Sequence, residues 1–378
     1  MSHNHTPVGG PLFTRMFAIS LVVAGIGAWF LAQRFMYGLG AVSNMSDGYP
    51  WGIWITYDVL VGTAIGCGGY AMALLVYIFN KGEYHPLVRS AVMTSLFGYA
   101  LAGASIFVDI GRYWNMFNIF NPSLMNFNSV LLEVALCIAA YVCILFLEFF
   151  PTFIEAKGGP GAAKGYNKIM FILVAIGVLL PTMHQSSLGT LMVISGDKLS
   201  PLWQSGLLPF YNVITAILMG FGIVIFESYL SAVAFKRPFE TPILSKLAGV
   251  VPGLLIVYLV VRWADLLLRG ALGSAFSGLP GLMFWVENLL FVAALAMLAP
   301  AAKRQSAKNL CSASFVLLLG CAVLKFNMYI VGFQPAPGWR YFPSVPEIMV
   351  TLAIVAVEIM AYLIFVKKLP VLAAPEHT

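Results

Sequence analysis

Five ionisable residues, Asp58, Asp109, Arg112, Glu133 and His184, fall within or at the ends of long apolar runs. A titratable side chain at membrane depth is expensive unless it is paired or faces water, so each is a candidate for chemistry. An arginine, carboxylates and one imidazole beneath an aromatic rim of Trp51, Trp54, Tyr113 and Trp114 suit a quinone head group. Its two carbonyl oxygens need hydrogen-bond donors, and reduction to the quinol needs two protons from groups that titrate reversibly. Glu133 and His184 fit proton transfer, and all five residues make the candidate quinone-binding set, expected in the outer third of the membrane. The run Pro181 to Ser187 is polar where a lipid-facing helix would be apolar, and Pro181 frees backbone carbonyls, so a break in the helix is expected there. A plainer reading stands beside this one: Asp109 and Arg112, at i,i+3, form a structural ion pair, Asp58 caps or locks a bundle, and His184 is a packed residue.

A second set lies deeper or toward the other surface: Tyr99 near mid-membrane, Glu148 at the inner end of the fourth run and Glu227 at the inner end of the sixth. Glu133 and Glu148 are about 22 Å apart along one helix, so a proton relay between them needs Tyr99 and water. Arg262, Asp265, Glu287 and Lys325 balance in charge and read as a buried structural network in the second half of the chain. Glu358 has no partner evident from the sequence, and the glycines of Gly66-Cys67-Gly68-Gly69 read as close helix packing.

These residues are positioned by a chain of 378 residues, 60% hydrophobic and 10% charged, with a mean hydropathy of +0.89. A soluble domain carries about a quarter charged residues, so this is a membrane protein. Ten apolar runs are evident: Met16 to Tyr37, Trp51 to Phe79, Leu87 to Ile110, Phe127 to Phe150, Lys168 to Leu188, Phe210 to Phe235, Ile243 to Leu268, Leu282 to Ala302, Leu310 to Phe333 and Pro346 to Val366. The N-terminus lacks the basic n-region of a cleavable signal and the first run is long enough to span, so it reads as an uncleaved helix. The even count puts both termini on one side, and the excess of Lys and Arg in the loops of that side, Lys157, Lys164, Lys303, Arg304 and Lys367 among them, makes it the cytoplasmic one.

The fold class expected is all-α integral membrane, with two parallel-repeat four-helix bundles (helices 2–5 and 6–9) and peripheral helices 1 and 10. The corresponding division of the chain is 1–45, 46–200 with the quinone site, 201–335 and 336–378. The net charge of +6 belongs to helix ends, not to a nucleic-acid surface. The cysteines lack C-x-x-C spacing, which argues against an iron–sulfur cluster or metal held by this chain. His3, His5 and His377 lie in the tails and His85 in a loop; with His184 alone at depth, bis-histidine haem is not expected.

Several stretches carry a more specific signal: Gly48-Tyr49-Pro50-Trp51-Gly52-Ile53-Trp54 with Asp58, His85-Pro86-Leu87-Val88-Arg89, Asp109 to Asn115, Asn128-Ser129-Val130-Leu131 with Glu133, and Leu180 to Ser187. On these the chain resembles the NrfD/polysulfide-reductase membrane-anchor family, in its hydrogenase-linked branch. The resemblance implies a quinone-reactive subunit of a bacterial inner-membrane complex. Its partners would be a periplasmic ferredoxin-like iron–sulfur subunit and the small and large subunits of a [NiFe] hydrogenase, its electron acceptor menaquinone or another quinone, and the hydrogenase active site would lie outside this chain. It also implies quinone binding for Asp58, Arg112, Glu133 and His184 and proton handling for Tyr99, Glu133, Glu148, His184 and Glu227. Rival readings are a secondary transporter, given the repeat and the buried charges, and a passive membrane anchor.

Overall fold

The computed structural model describes residues 5–159 and 161–372; His3 and His377 lie outside them. Ten helices are long and apolar enough to cross a membrane: α1 (Arg15–Tyr37), α2 (Trp54–Ile78), α3 (Gly82–Asp109), α4 (Val130–Gly158), α5 (Lys168–Ile194), α6 (Leu208–Ala234), α7 (Thr241–Leu268), α8 (Gly278–Leu298), α9 (Ala307–Val331) and α10 (Val345–Lys368). The protein is a multi-pass, all-helical membrane protein, with an isolated bridge between Leu199 and Phe333. Hydrocarbon leaves the backbone no external partner, so apolar runs of this length close their hydrogen bonds internally as helices. Side chains mark several starts: Thr14 caps α1, Ser129 caps α4, Ser306 caps α9, and Ser344 with Glu347 forms a capping box on α10.

The break expected at Pro181 does not occur, and the fourth apolar run, expected to end at Phe150, continues as helix. Helix α4 runs through Pro151 to Gly158, and α5 runs through Pro181 to Ile194. The break expected at Pro181 is instead in α2. That span opens with a π-helical stretch, Trp54–Val61, passes through a short α-helical turn, Gly62–Ile65, kinks at Gly66 and Cys67, resumes over Gly68–Ala73 and closes with a second π stretch, Leu74–Ile78. Glycines permit the kink, and a neighbour satisfies the backbone it disturbs: the Gly69 N–H donates to Ser95 Oγ of α3 at 2.8 Å. The close packing expected of this cluster is also present, since a Cβ on Gly220 of α6 would sit 2.5 Å from Cys67 O.

α2 therefore lies in the middle of the molecule, against α3, α6 and α9, and is the most buried of the ten. Helices α4 and α5 pack on α3 and α6, and α7, α8 and α9 complete the other side. α1 and α10 pack chiefly on each other, with Gly27 admitting Ala353 at their seam, and stand at the edge of the body.

Candidate functional site

A polar network occupies the centre of the apolar body. Thr63 of α2, His184 and Gln185 of α5, Asn212 of α6 and Lys325 of α9 are all fully buried. The Lys325 ammonium donates to Asn212 Oδ1 and, at 3.4 Å, to Gln185 Oε1. An ammonium has donors only, so it dictates the orientation of both amides. Asn212 then turns its Nδ2 to Leu208 O at 3.1 Å, and Gln185 its Nε2 to Thr63 Oγ1 at 3.0 Å. Thr63 gives its single proton to Val59 O. Its 3.1 Å contact with His184 Nε2 must therefore be a donation from the ring. Neutral His184 is thereby the Nε2–H tautomer; Nδ1 closes no hydrogen bond, and the Val134 backbone lies beside the ring. The tyrosine expected near mid-membrane adjoins this centre: Tyr99 lies edge-on to His184 with ring centroids 5.6 Å apart, against Tyr141 at 4.6 Å, with its hydroxyl 3.6 Å from Cys67 Sγ.

Toward the face carrying the termini, a cavity of about 190 Å³ reaches Glu148 from among Tyr77, His85, Arg89, Glu155 and Lys164. Arg89 and Glu155 are paired at 2.8 Å at its mouth. Glu148 and Tyr141 lie two turns apart on one face of α4, about 10 Å. Tyr141, Tyr99 and His184 then follow in ring contact.

The five residues expected to cluster do not meet in one place. Glu133 is half-buried in the first turn of α4, one residue before the Val134 backbone that faces His184. His184 is deeper than the outer third expected of it, about 15 Å along α5 from Ile194. Asp58 points to the other side of α2, where it accepts from Thr351 of α10 at 3.3 Å. Asp109 ends α3 and Arg112 lies beyond it, exposed, so the expected ion pair between them does not form. The helix stops at Asp109 and Ile110 is extended, which removes the i,i+3 relation. The cation beside Asp109 is Arg34 of α1, buried, donating to Val108 O at 2.7 Å and Ile110 O at 2.6 Å and lying over the Phe35 and Tyr113 rings.

The network expected in the second half is divided. Arg262 and Glu287, both buried, approach at 3.9 Å, with Trp203 and Asn327 donating to Glu287 Oε2 at 3.0 and 2.9 Å. Asp265 pairs with Arg269 at 2.9 Å and not with Arg262. Lys325 leaves this group for the central one. Outside the spans, Tyr341 ties the α1–α2 connection to α10: it accepts from the Ile53 N–H at 2.7 Å and donates to Glu347 Oε1 at 2.7 Å. Burial and the Glu347 carboxylate push its phenol well above the ordinary tyrosine value.

Residues 41–336 match the family described as Polysulphide reductase, NrfD. The chain is 42% identical, over 98% of its length and 96% of the relative's, to a protein of Escherichia coli named "Probable Ni/Fe-hydrogenase 2 b-type cytochrome subunit". It is 26% identical, over 95% of its length and 92% of the relative's, to the "Menaquinone reductase, integral membrane subunit" of Nitratidesulfovibrio vulgaris. The first of these names corrects the expectation that the chain binds no haem, because b-type cytochromes are haem proteins. Of the histidines among the described residues, His184 is buried with Nε2 3.1 Å from Thr63 Oγ1, and His85 lines the cavity at the face of the termini. Its fold, its match over most of its length and its relatives agree: the chain belongs to the NrfD polysulphide reductase family, among the membrane subunits of oxidoreductase complexes.

Proposed function

We propose that this protein is the quinone-reactive membrane subunit of a hydrogenase-type complex, passing electrons between an iron–sulfur partner and the quinone pool with coupled proton transfer. The observation that carries the reading is the network of His184, Thr63, Gln185, Asn212 and Lys325, assembled from four helices around an interrupted span inside an otherwise apolar body. Such groups are costly in a merely structural bundle. The relatives named as hydrogenase-2 and menaquinone reductase subunits support both the partner class and the substrate.

In this reading the quinone head group approaches from the end of α4 and α5 that carries Glu133. Two electrons arrive from a ferredoxin-like iron–sulfur subunit attached to [NiFe] hydrogenase small and large subunits. Two protons complete the quinol, and His184 Nδ1 and Glu133 are the groups that hold and hand them over. Glu148, through the cavity at the face of the termini and the rings of Tyr141 and Tyr99, replenishes them; Glu227 serves a parallel route. With the complex in a bacterial inner membrane and the termini cytoplasmic, proton uptake from one side and release by hydrogen oxidation on the other separates charge. Arg112, exposed beyond α3, serves the docking edge of the site in this scheme, with Asp109 behind it.

The test is Glu133→Gln in the intact complex. Hydrogen-dependent quinone reduction is expected to fall by at least about 10²-fold, the lower range for a lost acid–base group, while dye-linked hydrogen oxidation is retained. Normal quinone reduction by that variant removes Glu133 from the site.

A further inference from the structure

A second cavity lies across α2 from His184 and takes no part in the central network. It measures about 390 Å³, is lined by α2, α3, α6 and α10 with Met16 of α1 at its edge, and is partly open to the surroundings; the volume is within the range of about 300–1,000 Å³ common for small-molecule sites. Its wall is overwhelmingly apolar, with Ile65, Leu101, Phe226 and Val355 among its residues, yet three carboxyl groups reach it: Asp58, Glu227 and Glu358. Their depths differ. Asp58 is about 6 Å along α2 from Trp54, whereas Glu358 and Glu227 are about 15 Å and 10 Å from the opposite ends of their helices at Lys368 and Ala234. The space therefore runs along the membrane normal, with one acid near one end and two toward the other.

The occupant follows from that lining. Asp58 and Glu227 accept from Thr351 and Thr94, but among the described residues no hydrogen bond reaches Glu358, and a lipid acyl chain, which needs no polar partner, would leave that carboxyl group against hydrocarbon, an expensive arrangement. A flat head group with two carbonyl oxygens on an apolar tail uses both features, since a protonated carboxyl donates to a carbonyl and the apolar wall takes the tail. Glu227 is also held from a second direction. Thr94 donates to its Oε2 at 2.7 Å, and it borders a smaller cavity of about 70 Å³ that reaches Arg237 and Glu240 at the face of the termini. Glu227 thus stands between the large cavity and that surface. Glu358, which the sequence left without a role, faces the same space from α10.

We propose that this cavity is a separate binding site for an isoprenoid quinone, in which Glu358 and Glu227 donate hydrogen bonds to the head group. The proposal rests on the quinone reading above and adds a second location for the same substrate class. It is tested with the intact complex in membranes and a photoreactive azido-naphthoquinone carrying a short isoprenoid tail, the labelled peptides being identified by mass spectrometry. Labelling is expected in α6 near Phe226 and in α10 near Ile354. Val355→Trp, which fills the cavity, should cut that labelling at least tenfold while sparing labels elsewhere. Glu358→Gln preserves the volume and should raise the half-saturating probe concentration about tenfold, equivalent to about 1.4 kcal/mol. If Val355→Trp does not assemble, the Glu358 variant decides alone, and an unchanged half-saturation overturns the proposal. It is also overturned by absence of label from α6 and α10, or by displacement of the probe equally well by a saturated fatty-acyl chain. Quinone-linked turnover without label in this cavity sinks the second site only; absence of both turnover and label anywhere sinks the quinone reading itself.

Discussion

Replacing Thr63 by valine asks directly whether the central network holds His184. Valine keeps the β-branched shape in α2 and removes only the hydroxyl, so packing against α5 changes little. The hydroxyl now accepts from Gln185 Nε2 at 3.0 Å and from His184 Nε2 at 3.1 Å, both in fully buried surroundings. Each buried donor left without an acceptor costs about 1–3 kcal/mol, so the variant should lose about 2–6 kcal/mol of stability. Thr63→Ser retains the hydroxyl and gives up one methyl group, a loss of about 1 kcal/mol. The pair is compared by thermal or detergent unfolding of the purified full-length protein, and by quinone-linked against dye-linked turnover in the complex. With the Nε2 anchor gone the ring is no longer confined to one tautomer, and quinone-linked turnover should fall by about 10²-fold in the valine variant while the serine variant stays near wild type. A valine variant as stable and as active as wild type would mean that the hydroxyl does not organise the site, and the assignment of the His184 tautomer would go with it.

Two further perturbations test the frame around the network. Gly220→Ala puts a methyl group 2.5 Å from Cys67 O and 2.8 Å from Ala71 Cβ, forcing α6 away from the kink in α2; a loss of about 1–3 kcal/mol is expected in unfolding measurements, and none would show that the two helices do not press together there. Arg34→Met removes the donors to Val108 O and Ile110 O, so backbone amides over residues 107–120 should exchange hydrogen faster; unchanged exchange would deny Arg34 its role in holding the end of α3.

The spans were legible in the sequence because hydrophobic length is a local property, and all ten apolar runs became helices within a few residues at most ends. Which charges meet was not, because the meetings are made by residues far apart in the chain. Lys325 reads naturally with Arg262, Asp265 and Glu287, which balance it in charge within the second half of the chain, yet its partners are the neutral amides of Gln185 and Asn212. A search ranked by charge passes over Thr63, Gln185 and Asn212, although polar residues in apolar runs were the signal that could have found them. Arg34 sits at a helix end and looks like an interfacial anchor until α3 closes over it. The proline rule misled at Pro181 because the lost hydrogen bond did not outweigh packing on both sides of α5, and Thr182 adds a side-chain bond of its own to Val178 O at 2.8 Å. The kink appeared instead where glycines were dense, in a stretch whose reading as a packing seam was correct but incomplete.

The charge inventory divides along α2. On the side of His184 stands a cation whose hydrogen bonds go to neutral amides; among the described residues no carboxylate lies within ion-pair distance of Lys325. On the other side, Asp58, Glu227 and Glu358 line an apolar cavity that no lysine or arginine enters. Mutual neutralisation would be the cheaper arrangement in a purely structural bundle, and the fold keeps the two sets apart. Under the proposed quinone function the consequence for an arriving electron is calculable. A unit negative charge about 10 Å from Lys325 gains about 1.7 kcal/mol at an effective dielectric constant of about 20, more than a tenfold bias in an equilibrium. Pairing Lys325 with a carboxylate would cancel that bias, so the amide partners leave the cation available to stabilise negative charge as it arrives. They also orient Gln185, and through it the hydroxyl that holds the imidazole. In the proposed reading one lysine thereby favours the reduced head group and orients the amide that meets Thr63, which gives a physical reason for a buried cation to be served by two amides instead of an acid.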